Sequence, residues 1–136
     1  MTKISKKKRI LVILLIITLM FIWGNSLLDR EYSSEESGLA VRILEKIFGE
    51  GKVSEHAVRK IAHFTEFAVL GAELMGLFCR YPLSVTHGLF AALADESIQL
   101  FSGRSAEVKD VLLDFSGVLF GALIVMLIIR KSYRRS

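Results

Sequence analysis

ALADESIQLFSGRSAEVKDVLLDFSGVLFG, residues Ala92 to Gly121, reads as two apolar helices joined by a short polar turn. The apolar residues are those of a chain made to sit in lipid. Among them stand Asp95, Glu96, Gln99, Arg104, Lys109, Asp110 and Asp114. A charged side chain at membrane depth costs several kcal/mol unless it is paired or wetted, so a cluster of this kind points to a functional site. The plain alternative is that some of these groups lie among the lipid headgroups, where the cost is small. Depth and helical face decide between the two.

Composition sets the frame. The chain has 136 residues, 52% of them hydrophobic, and a single proline. Soluble domains reach about 45–50% apolar residues even with glycine counted. Four crossings of about 20 residues each would leave little for a soluble domain. The formal net charge is +4, which by itself would suit a nucleic-acid binder. The basic residues instead crowd the two ends: Lys3, Lys6, Lys7, Lys8 and Arg9 in front, Arg130, Lys131, Arg134 and Arg135 behind. Such ends flank membrane helices on the cytoplasmic side, so no nucleic-acid partner is expected. Cys79 is alone, which excludes an internal disulfide and a thiolate metal site.

The expected fold is an all-α membrane protein. Residues 1–9 form a basic cytoplasmic start, residues 10–129 the membrane domain and residues 130–136 a basic cytoplasmic tail. Crossings are expected at about 10–28, 57–78, 83–101 and 108–129. The apolar run from Ile10 to Trp23 follows basic residues as in a signal peptide, but no small-residue cleavage site follows, so it is read as an uncleaved helix. Between the first two crossings lies an outside loop, 29–56. There Ser33-Ser34-Glu35-Glu36 has capping-box spacing. Ala40, Ile43, Leu44, Ile47 and Phe48 then recur at helical spacing, and Gly49 and Gly51 close the segment. This reads as a short extracytoplasmic amphipathic helix in the interface or over the bundle. Cys79-Arg80-Tyr81-Pro82 makes a tight inner turn, and Ser102-Gly103-Arg104-Ser105 an outer one. Both termini and Arg80 then fall on one side.

Depth sorts the polar residues. With the termini inside, His63, Glu66, Asp95, Glu96, Gln99, Asp110 and Asp114 lie near the outer boundary, mostly within about 10 Å of it at 1.5 Å per residue. Glu73 lies deeper. Face agrees: His63, Glu66 and Glu73 share one side of their helix, Asp95 and Gln99 another, Asp110 and Asp114 a third. Gly117 and Gly121 continue that last stripe as a Gly-x-x-x-Gly, which permits close helix approach. Three helices are therefore expected to turn polar faces toward one outward vestibule.

Asp95, Glu96, Asp110 and Asp114 suit general acid–base work or a hard cation, or equally an ion-pair network with Arg104, Lys109 and Lys60. No recognised metal spacing is present, so no metal or other cofactor is expected. His63 reads as a proton carrier or a metal ligand, or as a histidine held by Glu66 or Asp95. His87 lies about 15 Å from it in depth, too far for both to grip one haem. Arg104 suits a carboxylate or phosphate met from outside, or anchors the turn at the interface. No Gly-x-Ser-x-Gly, His-Glu-x-x-His, P-loop or Gly-x-Gly-x-x-Gly occurs.

Lys60-x-x-His63-Phe64-x-Glu66-Phe67, Asp95-Glu96-x-x-Gln99-x-Phe101-x-Gly103-Arg104 and Val108-x-Asp110-Val111-x-x-Asp114-x-x-Gly117 stand in order along the chain. This set resembles the VanZ-like family from roughly Arg59 to Gly121. Two positions depart from the pattern: Phe67 stands where a Tyr is frequent, and Asp114 where an Asn is common. The resemblance implies a small polytopic protein of the bacterial cell membrane, linked to low-level resistance to teicoplanin, a lipid-tailed glycopeptide antibiotic.

Three functions follow as expectations. In the first, the vestibule binds the polar part of a lipid-anchored molecule, a lipoglycopeptide or a lipid-linked wall precursor. Lys60, His63 and Arg104 would hold anionic or acceptor groups, and Glu66, Asp95, Glu96, Gln99, Asp110 and Asp114 would complete the site. In the second, an integral-membrane enzyme modifies a lipid-linked or peptidyl substrate, with His63 and Glu66 as the base pair and Asp95, Glu96 and Asp110 as the acid or metal set. In the third, the face carrying Gly117 and Gly121 docks a second copy or another membrane protein.

Overall fold

The computed structural model describes residues 5–27, 41–43, 54–102 and 107–134. Among these, four long helices run α1 (Lys6–Leu27), α2 (Glu55–Phe78), α3 (Tyr81–Phe101) and α4 (Val108–Tyr133). The expected amphipathic helix falls outside the described residues except at 41–43, which are helical. Arg104 also lies outside them.

Local chemistry sets the helix ends. Ser54 caps α2 by accepting a hydrogen bond from the Ala57 N–H at 3.1 Å, which satisfies one of the donors that a helix start leaves open. At its other end Cys79 turns left-handed, with φ 53°, and donates its N–H to the Met75 carbonyl at 2.9 Å. Only Cys79 and Arg80 separate α2 from α3, and Pro82 sits in the first turn of α3. A proline there gives up no helical hydrogen bond. Glu107 caps α4 without a side-chain bond of its own. Its N–H instead donates to Glu96 Oε1 at 2.5 Å, which ties the start of α4 to α3.

The helices pack up, down, up, down. Gly76 of α2 faces Leu11 of α1, and Thr18 reaches Glu73, so α1 and α2 are antiparallel. Gly117 and Gly121 lie against Phe64 and Ala68, so α4 runs parallel to α2. The α2–α4 pair makes the most extensive contact in the bundle. Both glycines are buried, and a Cβ on Gly121 would fall on the Ala68 carbonyl. The close approach that the glycine spacing permits is thus made within this chain. Val118 enters between Gly71 of α2 and Gly88 of α3. Around it Ile22, Phe67, Leu70, Leu74, Ala91 and Ala92 form the apolar core, with Leu15, Leu19, Trp23, Val111 and Phe115 packed on its edge.

Outside that core the usual distribution is reversed. Ile13, Ile17, Phe21, Phe90, Leu112, Leu127 and Ile128 are exposed, whereas Asp95 and Asp114 are buried. A water-soluble monomer rarely shows apolar surface on this scale. α1, α2 from His56 onward, and α4 are each long and apolar enough to cross a membrane. α3, with 21 residues, is about 31 Å long at 1.5 Å per residue and matches them in length. Its composition falls short because His87, Asp95, Glu96 and Gln99 lie on it. The protein is a helical membrane protein.

Candidate functional site

The polar residues meet at the end of the bundle away from the basic termini. Asp95 lies at its centre, 0% exposed. Ser26 of α1 donates to Asp95 Oδ1 at 2.6 Å, and Gln99 donates to Oδ2 at 2.7 Å. The Gln99 amide also reaches Ser26 Oγ at 3.4 Å. Spacing explains the Gln99–Asp95 bond: residues four apart on a helix face the same way. Hydrogen bonds to an ionised group are worth about 1.5–3 kcal/mol each, so this pair of donors offsets a large part of the burial cost of a carboxylate.

Across from Asp95, α2 supplies His63 and α4 supplies Asp114. His63 Nδ1 lies 3.7 Å from Asp114 Oδ1. One donor atom from each of His63, Asp95 and Asp114 fits in a group no wider than 4.8 Å. Asp114 is 1% exposed, and its Oδ2 has no hydrogen-bond partner among the described residues. Glu66, one turn beyond His63, shares a side-chain hydrogen bond with Asn25 of α1, while its Oε2 is buried without a partner. Glu96, also buried, holds the start of α4 as described above.

Exposure rises toward the bundle end. The side chain of His63 is 17% exposed, and Lys60 and Asp110 reach 37% and 33%. Lys60 Nζ and Asp110 Oδ1 pair at 3.5 Å, the ion pair expected in a network. The site is therefore three buried carboxylates, Asp95, Glu96 and Asp114, under a half-exposed rim, not four carboxylates lining an open depression. A rim pair of this kind contributes about 0–1 kcal/mol.

Of the residues singled out in the sequence, Lys60, His63, Glu66, Asp95, Glu96, Gln99, Asp110 and Asp114 come together here. Glu73 does not. It lies lower on α2, where Thr18 of α1 donates to its Oε1 at 3.0 Å. His87 is exposed, with its Nδ1 2.8 Å from the Leu83 carbonyl and its ring 4.8 Å from that of Phe78. The contribution of α1 went unread. Thr18, Ile22 and Ser26 recur every four residues on one stripe of an otherwise apolar helix, and that spacing was the available signal.

The arrangement can accept several hydrogen bonds from a polar ligand, pass a proton between His63 and Asp114, or hold a cation. Comparison with known proteins adds the family. A model of the VanZ/LLP1 family matches residues 11–129, which spans all four helices. No curated protein and no solved structure matches the chain.

Proposed function

The chain belongs to the VanZ/LLP1 family, and from that premise we propose that it crosses the bacterial cell membrane four times and binds a lipid-anchored polar molecule at the outer face. Connection and packing support four crossings. α3 leaves α2 through two residues, runs back along it and packs against both α2 and α4. Asp95, Glu96 and Gln99 are turned inward, and its outer side carries the exposed Phe90 and Leu93. The start of α1, the Cys79–Arg80 turn and the end of α4 share one end of the bundle. Lys6, Lys7, Lys8, Arg9, Arg80, Arg130 and Lys131 lie at that end, which supports a cytoplasmic placement by the positive-inside rule.

The observation that carries the ligand reading is the buried group of Asp95, Glu96, Gln99 and Asp114 inside a bundle with an apolar outside. Translocon measurements put one acidic residue at the helix centre at about 2.5–3.5 kcal/mol. A fold that merely had to span a membrane would not bury several. Asp95, Glu96 and Asp114 accept hydrogen bonds from hydroxyl, amide or ammonium donors, and Lys60, His63 and Arg104 take anionic or acceptor groups. A lipoglycopeptide such as teicoplanin, or a lipid-linked wall precursor, offers such groups beside a lipid tail.

Susceptibility to teicoplanin and vancomycin in a sensitive Gram-positive host tests this, with membrane levels checked for each variant. The parent chain is expected to protect against teicoplanin, and Asp95→Ala/Glu96→Ala and Arg104→Ala are expected to lose that protection. Unchanged protection in the variants would make the cluster structural. A parent that gives none excludes the glycopeptide as ligand.

One contact favours a second reading. The imidazole–carboxylate pair of His63 and Asp114 beside the unpartnered Glu66 Oε2 has the make-up of a general-base site. Turnover of a lipid-linked substrate that is lost in His63→Gln would establish an enzyme.

A further inference from the structure

We propose that His63, Asp95 and Asp114 hold a divalent cation, a site that stands or falls separately from the ligand reading above. Each residue comes from a different helix, so the three meet only in the folded bundle. Their donor atoms lie within 4.8 Å of one another. In any such triangle some point lies about 2.8 Å or less from all three corners, so shifts of roughly 0.6 Å bring each donor to a bond length of about 2.0–2.2 Å.

The surroundings are those of a ligand set. Both oxygens of Asp95 are held by donors, Ser26 and Gln99, and metal-binding carboxylates are characteristically fixed by such outer hydrogen bonds. An ionised carboxylate has about four lone-pair sites, so those two bonds leave capacity for an ion. Asp114 gives an independent sign. It is 1% exposed, and its Oδ2 is buried without a hydrogen-bond partner among the described residues. A buried acceptor left unmade carries the full cost of its lost hydration, and a bound cation would restore what hydration supplied. Glu66, Asp95, Glu96 and Asp110 all lie close enough to repel a charge on Asp114. A divalent ion matches the two carboxylates facing it and relieves that repulsion.

One imidazole nitrogen and two carboxylate oxygens form a mixed set. Imidazole suits Zn²⁺ and its neighbours, and carboxylates suit Mn²⁺ and Mg²⁺, so the ion is a borderline one, Zn²⁺ or Mn²⁺. Zn²⁺ should bind more tightly than Mn²⁺, and Mg²⁺ least.

The test uses the full chain in detergent, stripped with a chelator and titrated with each ion alone. We expect one tight Zn²⁺ or Mn²⁺ per chain and a higher Tm at saturating Zn²⁺. The Mn²⁺ electron spin-echo signal should carry nitrogen coupling that disappears in His63→Gln. Asp114→Asn should weaken binding at least about tenfold, the scale set by outer-shell changes alone. His87→Gln, at the far end of α3, should leave binding unchanged. Binding that lacks nitrogen coupling, or that survives both His63→Gln and Asp114→Asn, would be adventitious and overturn the proposal. So would failure of the parent chain to retain any ion or to gain thermal stability. The parent-chain readouts need no variant to fold.

Discussion

At the scale of single residues, the instructive one is Ser26. In sequence it is a small polar interruption near the end of an apolar run. In the fold it is 0% exposed and donates a hydrogen bond to Asp95. Ser26→Ala should therefore cost about 1–3 kcal/mol, the penalty for leaving a buried acceptor without its donor. Thermal denaturation in detergent reads this, and a Tm equal to that of the parent would remove Ser26 from the network. The charged residues announced themselves because charge in an apolar chain is conspicuous, and eight of the nine expected site residues fall together. Their pairing was less legible. Helical spacing puts His63 and Glu66 on the same side of α2, yet Glu66 turns to Asn25 of α1 and His63 faces Asp114 of α4. Spacing gives a face. Which neighbour that face meets depends on how the helices are arranged around one another.

At the scale of the elements, the glycines separate two kinds of position. Gly121 sits where a Cβ would run into the Ala68 backbone, whereas at Gly24 nothing lies within 4 Å. Gly121→Ala should force α4 away from α2, lower the Tm and loosen the site, because His63 and Asp114 face each other across that pair. Gly24→Ala should be neutral or stabilising, since alanine in a helix interior is favoured over glycine by about 0.5–1 kcal/mol. Equal effects at the two positions would refute this account of α2–α4 packing. The Gly-x-x-x-Gly spacing was plain in the sequence. That it joins α4 to α2 was not, because close approach says nothing about which helix approaches.

The whole molecule is apolar outside and in its core, with a buried polar cluster at one end, and Cys79 offers a direct way to test its placement. It is the chain's single cysteine, and it is exposed in the α2–α3 turn. If that turn is cytoplasmic, an impermeant maleimide should leave Cys79 unlabelled in intact cells and label it in inverted vesicles. A Cys79→Ser/Glu107→Cys form should give the opposite pattern. Labelling of Cys79 from outside would reverse the orientation and place the polar site inward. Helical class and basic ends were readable because they follow from composition and period. α3 carries a further consequence. Of the four long helices among the described residues it is the one that falls short of the apolar composition of a membrane span, and only two residues join it to α2. If α3 crosses the membrane as proposed, the two helices must leave the translocon as a hairpin, Asp95 already turned from lipid, and the residues that make the site polar then also fix the order in which the protein is assembled.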